Sequence, residues 1–206
     1  MSRSVSSRCC VNLFLLLLVA LAPFDDAPGH EPLASGLAAA QRREVRVPVR
    51  SFQLTDQNGQ VFDFTAVRDK VIVLAFVYTT CPDICPLTTA ALTQVQKEFH
   101  QAESPAVYFI TITTDPEVDK AKILAAYAKR HGVDLSNWAF LTGEEAALRK
   151  VWQNFGVRVI RKKRGLVDHT SLTAVIDRGT MRFAYFGAAP DAKSVIRDVR
   201  LLLNHR

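Results

Sequence analysis

Cys81 and Cys85 stand four residues apart at the end of an apolar run, in Tyr78-Thr79-Thr80-Cys81-Pro82-Asp83-Ile84-Cys85-Pro86. Two thiols at this spacing can bind a soft metal, cycle between dithiol and disulfide, or staple a turn. The last reading is weak, because closing so short a loop removes little entropy from the unfolded chain. If a helix begins near Cys81, residues at i and i+4 share one face and both sulfurs point to one spot. A helix N-terminus also stabilises anions, which favours the thiolate that both binds metals and attacks disulfides. Local geometry therefore leaves metal and redox chemistry open.

A third ligand would separate them. The chain has five histidines. His30 lies in a Pro-, Gly- and Ala-containing stretch and His205 near the end of the sequence. His100 and His131 fall at expected helix C-termini, where a basic side chain complements the dipole. His169 differs: it sits in Val167-Asp168-His169-Thr170-Ser171, immediately before a strand-like run. In a thioredoxin-like sheet that loop faces the N-terminus of the helix carrying the cysteines. The plain alternative is an ordinary buried histidine. A Cys2His set suits copper: thiolates hold Cu(I), and an added imidazole makes Cu(II) acceptable. Zinc usually takes four ligands in a closed structural site, and no fourth cysteine or histidine is evident. Asp83 and Asp168 carry oxygens, but neither is expected to be a ligand.

The elements that must position these residues follow from hydrophobic period and punctuation. Residues 71–78 form a near-continuous β-branched and apolar run, the signature of a strand buried on both faces. Residues 86–100 carry Leu87, Ala91, Val95 and Phe99 at helical spacing, with Pro86 in the first turn. Residues 106–113 read as a second strand. Asp115-Pro116 is expected to open a helix over 117–130 stopped by Gly132, with Asp115 and Asp119 as cap and surface residues. A short strand over 138–141, a helix over 144–155 ended by Gly156, strands over 172–176 and 182–186 joined by a turn, and a helix over 192–203 complete the pattern. Upstream, residues 52–62 alternate around Asn58-Gly59, which suits a type I′ hairpin turn. Phe76, Phe109, Trp138 and Phe140 are core candidates. The fold class is α/β, a central mixed sheet with helices on both faces and an N-terminal β-hairpin.

The composition, 49% hydrophobic and 22% charged, is that of a globular chain. The net charge is +6, with Arg158, Arg161, Lys162, Lys163 and Arg164 forming a local basic run. Such a run is a solvated loop or a docking patch for an acidic partner or anionic lipid. Aromatics are not interleaved with it, so nucleic acid is not an expected partner. At the N-terminus, Arg3 and Arg8 precede an apolar stretch shorter than a comfortable membrane span. Residues 1–24 therefore read as a secretory signal or a marginal membrane anchor, with Cys9 and Cys10 incidental to it. Residues 25–44 read as a linker and 45–206 as the domain. Export implies an oxidising compartment, where a functional dithiol needs a thiol reductant or a metal.

The motifs Tyr78-Thr79 with Cys81-Pro82-Asp83-Ile84-Cys85-Pro86, Asp115-Pro116-Glu117, and Asp168-His169-Thr170-Ser171 followed by Val175-Ile176-Asp177 occur in one order. Together with the hairpin they resemble the Sco/SenC/PrrC family of thioredoxin-fold copper proteins, over about residues 50–200. The resemblance implies a thioredoxin-like fold and a membrane-tethered or exported copper chaperone. It also implies Cys81, Cys85 and His169 as copper ligands. The implied partners are the CuA subunit of cytochrome c oxidase, or another periplasmic copper protein, and a thiol reductant. The implied location is the periplasm, free or anchored to the inner membrane, or in an organelle the intermembrane-space side of the mitochondrial inner membrane. One departure stands out: where the family often has Asp-Thr-Pro, this chain has Asp119-Lys120-Ala121. The basic run falls where the family has a loop near the site. Two enzyme readings compete. A thiol–disulfide oxidoreductase would use Cys81 and Cys85 without His169, and a peroxiredoxin-like peroxidase is disfavoured by the second cysteine.

Overall fold

The computed structural model describes residues 40–100, 106–162 and 165–206. The signal or anchor segment, most of the linker, His30, Lys163 and Arg164 lie outside the described residues. A six-stranded sheet runs in the order β1-β10-β9-β4-β5-β6. Its parallel half is β4 (Val71–Val77), β5 (Val107–Thr113) and, at the edge, β6 (Trp138–Leu141). β9 (Leu172–Asp177), β10 (Thr180–Phe186) and β1 (Gln41–Pro48) add an antiparallel half.

Strand period explains the layers. Ile72, Leu74 and Phe76 of β4 pack with α3 (Glu145–Asn154), whose Leu148, Val151 and Trp152 share their cluster. Val71, Val73 and Ala75 point the other way, into a cluster with residues of α1 (Ile84–His100), α2 (Ala121–Arg130) and α4 (Ala192–Leu203). Because β4 is buried throughout, the sequence has to be apolar at every position, not at every second one. The core candidates are all buried: Phe76 at 3%, Phe109 and Phe140 at 0%, Trp138 at 1% exposure. The Trp138 indole N–H donates to Thr111 Oγ1 at 2.9 Å, which meets its only polar need.

Four expectations are corrected. β1 begins at Gln41, inside the stretch read as linker. Its pattern is polar and mostly exposed, so register with β10 defines it, not periodicity. The hairpin of β2 (Gln53–Thr55) and β3 (Val61–Asp63) forms, but without a type I′ turn. Only Gly59, at φ +79°, takes positive φ there, while Asp56 Oδ1 accepts from the N–H groups of Asn58 and Gln60, each at 2.8 Å. The aspartate supplies a side-chain turn that the type I′ form does not need. Positive φ at both central residues occurs instead at Arg178 (48°) and Gly179 (70°), between β9 and β10. Third, α1 starts at Ile84, two residues ahead of the expected 86–100 helix, so Cys81 lies before it and the condition that would put both sulfurs on one helical face is not met. Fourth, α2 starts at Ala121, leaving Asp115 and Asp119 in a turn where both are fully buried.

Candidate metal centre

The site forms at the C-terminal end of β4, the end of a parallel strand where loops converge. After Val77 the chain turns, with the Cys81 N–H donating to the Tyr78 carbonyl at 3.2 Å. α1 then begins with Cys85 in its first turn and Pro86 where no N–H partner is lost. The sulfurs converge, though not as neighbours on one helical face. Cys81 sits in the turn, where the Cys85 thiol and the N–H groups of Cys85 and Asp83 are placed to favour its thiolate. Both thiols are free and buried, Cys81 at 9% and Cys85 at 1% exposure.

His169 arrives on a second small hairpin, β7 (Val159–Arg161) with β8 (Val167–His169), in which it pairs with Val159. Its Nε2 lies 3.8 Å from Cys85 Sγ. Its Nδ1 lies 3.1 Å from the carbonyl of Thr170. A carbonyl only accepts, so that contact places the proton on Nδ1 and leaves the Nε2 lone pair facing the sulfurs. The Tyr78 ring meets the imidazole edge-on, centroids 5.9 Å apart. A cleft of about 320 Å³ opens over this group, lined among others by Cys81, Pro82, Ile84, Lys162, Leu166 and His169. A larger cleft, about 880 Å³, lies between Phe52 and α3 but offers no thiol or imidazole. The smaller one therefore holds the chemistry.

The two thiols are made unlike. The Cys85 thiol donates to Cys81, and with the two N–H groups and Tyr78 this outweighs desolvation, so the Cys81 thiol falls from 9.0 to about 5. Cys85 is pushed strongly upward, by its bond to Cys81 and by burial. Two sulfurs in contact cannot both ionise cheaply, so one proton is held between them. Burial lowers His169 below its ordinary 6.5, keeping the imidazole neutral. Burial, then Cys81, raises Tyr78 to about 12.

The structure thus brings Cys85 to His169 and Cys81 to Cys85. Among the described residues, no three His, Cys, Asp or Glu side chains are gathered closely enough to hold a metal ion as they stand. The donor types fit a soft metal: one thiolate, one thiol that a metal would deprotonate, and one neutral imidazole with a free lone pair. Asp168 faces Lys162 at 3.0 Å and is largely exposed. His131 stacks on Tyr127 with centroids 4.3 Å apart, and belongs to α2's end.

Sequence reasoning missed the residues that hold this site in place. Asp119 Oδ2 accepts from the Thr79 N–H at 3.1 Å and from Thr113 Oγ1 at 2.6 Å. Arg161 reaches from the β7–β8 hairpin to the buried Asp115 and, at 3.1 Å, to Glu117. A signal was present: two aspartates just beyond the end of an apolar parallel strand, where sites are built.

The SCO1/SenC family model matches residues 40–204. The SCO2-like protein RP587 of Rickettsia prowazekii is 30% identical over 152 residues, 70% of this chain and 72% of that protein. BsSco, described as having a disulfide switch and as a member of the Sco family of cytochrome c oxidase assembly proteins, superposes with a TM-score of 0.67 at 27% identity, over 80% of this chain and 98% of that one. Bradyrhizobium japonicum ScoI with copper bound superposes with a TM-score of 0.63 at 28% identity, over 76% of this chain and 99% of that one. Among the described residues no helix is long and apolar enough to cross a membrane.

Proposed function

The chain belongs to the SCO1/SenC family, and from that premise we propose that it is an exported or membrane-anchored copper chaperone that delivers copper to, or matures, the CuA centre of cytochrome c oxidase. Cys81, Cys85 and His169 are the proposed ligands. The observation that carries this reading is the 3.8 Å approach of His169 Nε2 to Cys85 Sγ. It sets an imidazole lone pair beside the Cys85 sulfur, at the cleft that Cys81 and His169 line. Copper is the cargo here, so the chain's task is to hold it and let it go.

The residues present support ligand exchange. The Cys81 thiol, lowered by its surroundings and lining the cleft, is the first donor offered to an incoming ion. Binding removes the Cys85 proton and frees that sulfur from Cys81. Nδ1–H stays on the Thr170 carbonyl, which keeps Nε2 directed at the ion. An open coordination position admits a thiolate or imidazole from the recipient, and one donor then leaves. An oxidised Cys81–Cys85 pair cannot bind metal, so a thiol reductant must act first.

The test is copper stoichiometry and spectrum of the reduced protein with Cu(I) and with Cu(II). The reading expects about one ion per chain with either oxidation state, and thiolate-to-copper absorption with Cu(II). Cys81→Ser and Cys85→Ser variants that bind copper as tightly as the parent would sink it. A second reading, an exported thiol–disulfide oxidoreductase acting on the cysteines of a copper-site protein, draws on the unlike thiols: an ionised attacking Cys81 and a protonated resolving Cys85. It expects rapid reduction of a disulfide substrate by the metal-free dithiol, with no need of His169.

A further inference from the structure

We propose that the turn joining β5 to α2, residues 114–120, positions both halves of the metal centre, Asp119 fixing the cysteine loop and Asp115 fixing the histidine hairpin. This rests on the Cys81/Cys85/His169 reading. Asp119 takes the Thr79 hydroxyl at 2.5 Å and the Thr79 N–H, two residues before Cys81. Asp115 takes the guanidinium of Arg161, which pairs opposite Val167 in the strand that ends at His169. Thr113 ties the two together: its hydroxyl donates to Asp119 at 2.6 Å and accepts the Asp115 N–H at 2.8 Å. The Asp119 N–H closes the turn on the Asp115 carbonyl at 2.8 Å.

Both aspartates are fully buried. A buried charge contributes little net stability beyond what a well-packed apolar residue would. An arrangement that served only to hold the fold would gain little from two of them. Each carboxylate instead bridges from one short turn to a different element that carries ligands. The β7–β8 hairpin has only three residues in each strand, so it has few ladder bonds of its own and relies on such an outside hold. The separation between the sulfurs and the imidazole is therefore set by this turn.

Arg161→Ala, Asp119→Ala, Asp119→Asn and His169→Ala test this in the full protein. Cu(I) affinity is read by competition with a chromophoric chelator. Cu(II) affinity is read from the thiolate-to-copper band. Arg161→Ala is expected to lose about 10- to 100-fold in Cu(II) affinity, the usual cost of removing a group that orients a ligand. Its Cu(I) affinity is expected to hold, because two thiolates suffice for that ion. Asp119→Ala is expected to lose affinity for both ions, and Asp119→Asn, which keeps an acceptor for the Thr79 N–H, to recover it. A lowered melting temperature with both affinities unchanged in Arg161→Ala and Asp119→Ala would reduce these contacts to ordinary stabilising ones and overturn the proposal. So would an Asp119→Asn variant as impaired as Asp119→Ala, since charge and not position would then matter. Should Asp119→Ala not fold, Arg161→Ala and Asp119→Asn decide alone. His169→Ala separates the two levels. If it binds Cu(II) as the parent does, the ligand reading fails and the proposal falls with it. If it loses Cu(II) while Arg161→Ala does not, the proposal alone fails.

Discussion

Cys85 and His169 are 84 residues apart in sequence and 3.8 Å apart in space, Sγ to Nε2. The contact is made by two unlike pieces of structure, the first turn of a long helix and the end of a three-residue strand. Neither piece holds the other. What joins them is the sheet behind and the buried aspartate turn beside them, so the proposed metal centre depends on tertiary structure and not on a local motif.

The two thiols are expected to react at very different pH. In the reduced, metal-free protein, alkylation of Cys81 rises with its thiolate and reaches half its maximum near pH 5. Cys85 stays unreactive beyond pH 9 because its pKa is raised. Peptide mapping after iodoacetamide treatment at pH 6 checks this, and equal labelling of both would contradict it. The linkage has a sign. A lowered Cys81 pKa contributes stability that is full above 9 and is lost as pH falls towards 5, while Cys85 contributes stability below 9 that is lost as pH rises further.

Copper loading is expected to release about one proton at pH 7, not two, because the Cys81 thiol is lowered to about 5 and the Cys85 thiol is raised, so that the proton released is that of Cys85. Calorimetry of Cu(I) binding in buffers of different ionisation enthalpy measures the number. Two protons would mean that both thiols are neutral in the metal-free protein. Zero would mean that Cys85 is not a ligand.

Edge strand β1 is expected to matter for stability through one ion pair. Arg42 donates to Asp198 at 2.6 and 2.9 Å, and the Tyr185 hydroxyl joins at 2.5 Å. Asp198 is 1% exposed. Asp198→Ala leaves the hydroxyl without its acceptor and frees a partly exposed guanidinium, at a cost of about 2 kcal/mol. For a domain of this size that is about 4–8 °C in Tm. A thermal melt checks it, and an unchanged Tm would show that the pair contributes nothing.

Much of this was legible in the sequence where one physical signal dominates. β4 was visible because a strand buried on both faces must be apolar throughout. α4 was visible because its apolar face repeats at helical spacing. The ligand candidates stood out because thiols and an imidazole are scarce here. β1 was not legible, since an exposed edge strand needs no apolar alternation and is specified by its partner, β10. The start of α2 was missed because Asp115-Pro116-Glu117 carries the marks of a helix N-terminus, while its aspartates are drawn inward by Thr79, Thr113 and Arg161. Burial of a carboxylate is set by what folds over it, and residues 46 positions away cannot be read from local sequence. The helix expected over 86–100 begins at Ile84, so Cys81 lies in the turn before it and the two sulfurs are not i,i+4 neighbours on a helix.

The most direct measurement is the Cu(II) spectrum of His169→Ala beside that of the parent, each reduced and loaded with one equivalent of copper. The account predicts an intense thiolate-to-copper band in the parent, and its loss or marked weakening in the variant with Cu(I) still bound through Cys81 and Cys85. An unchanged band and unchanged Cu(II) affinity in His169→Ala would contradict the Cys2His centre.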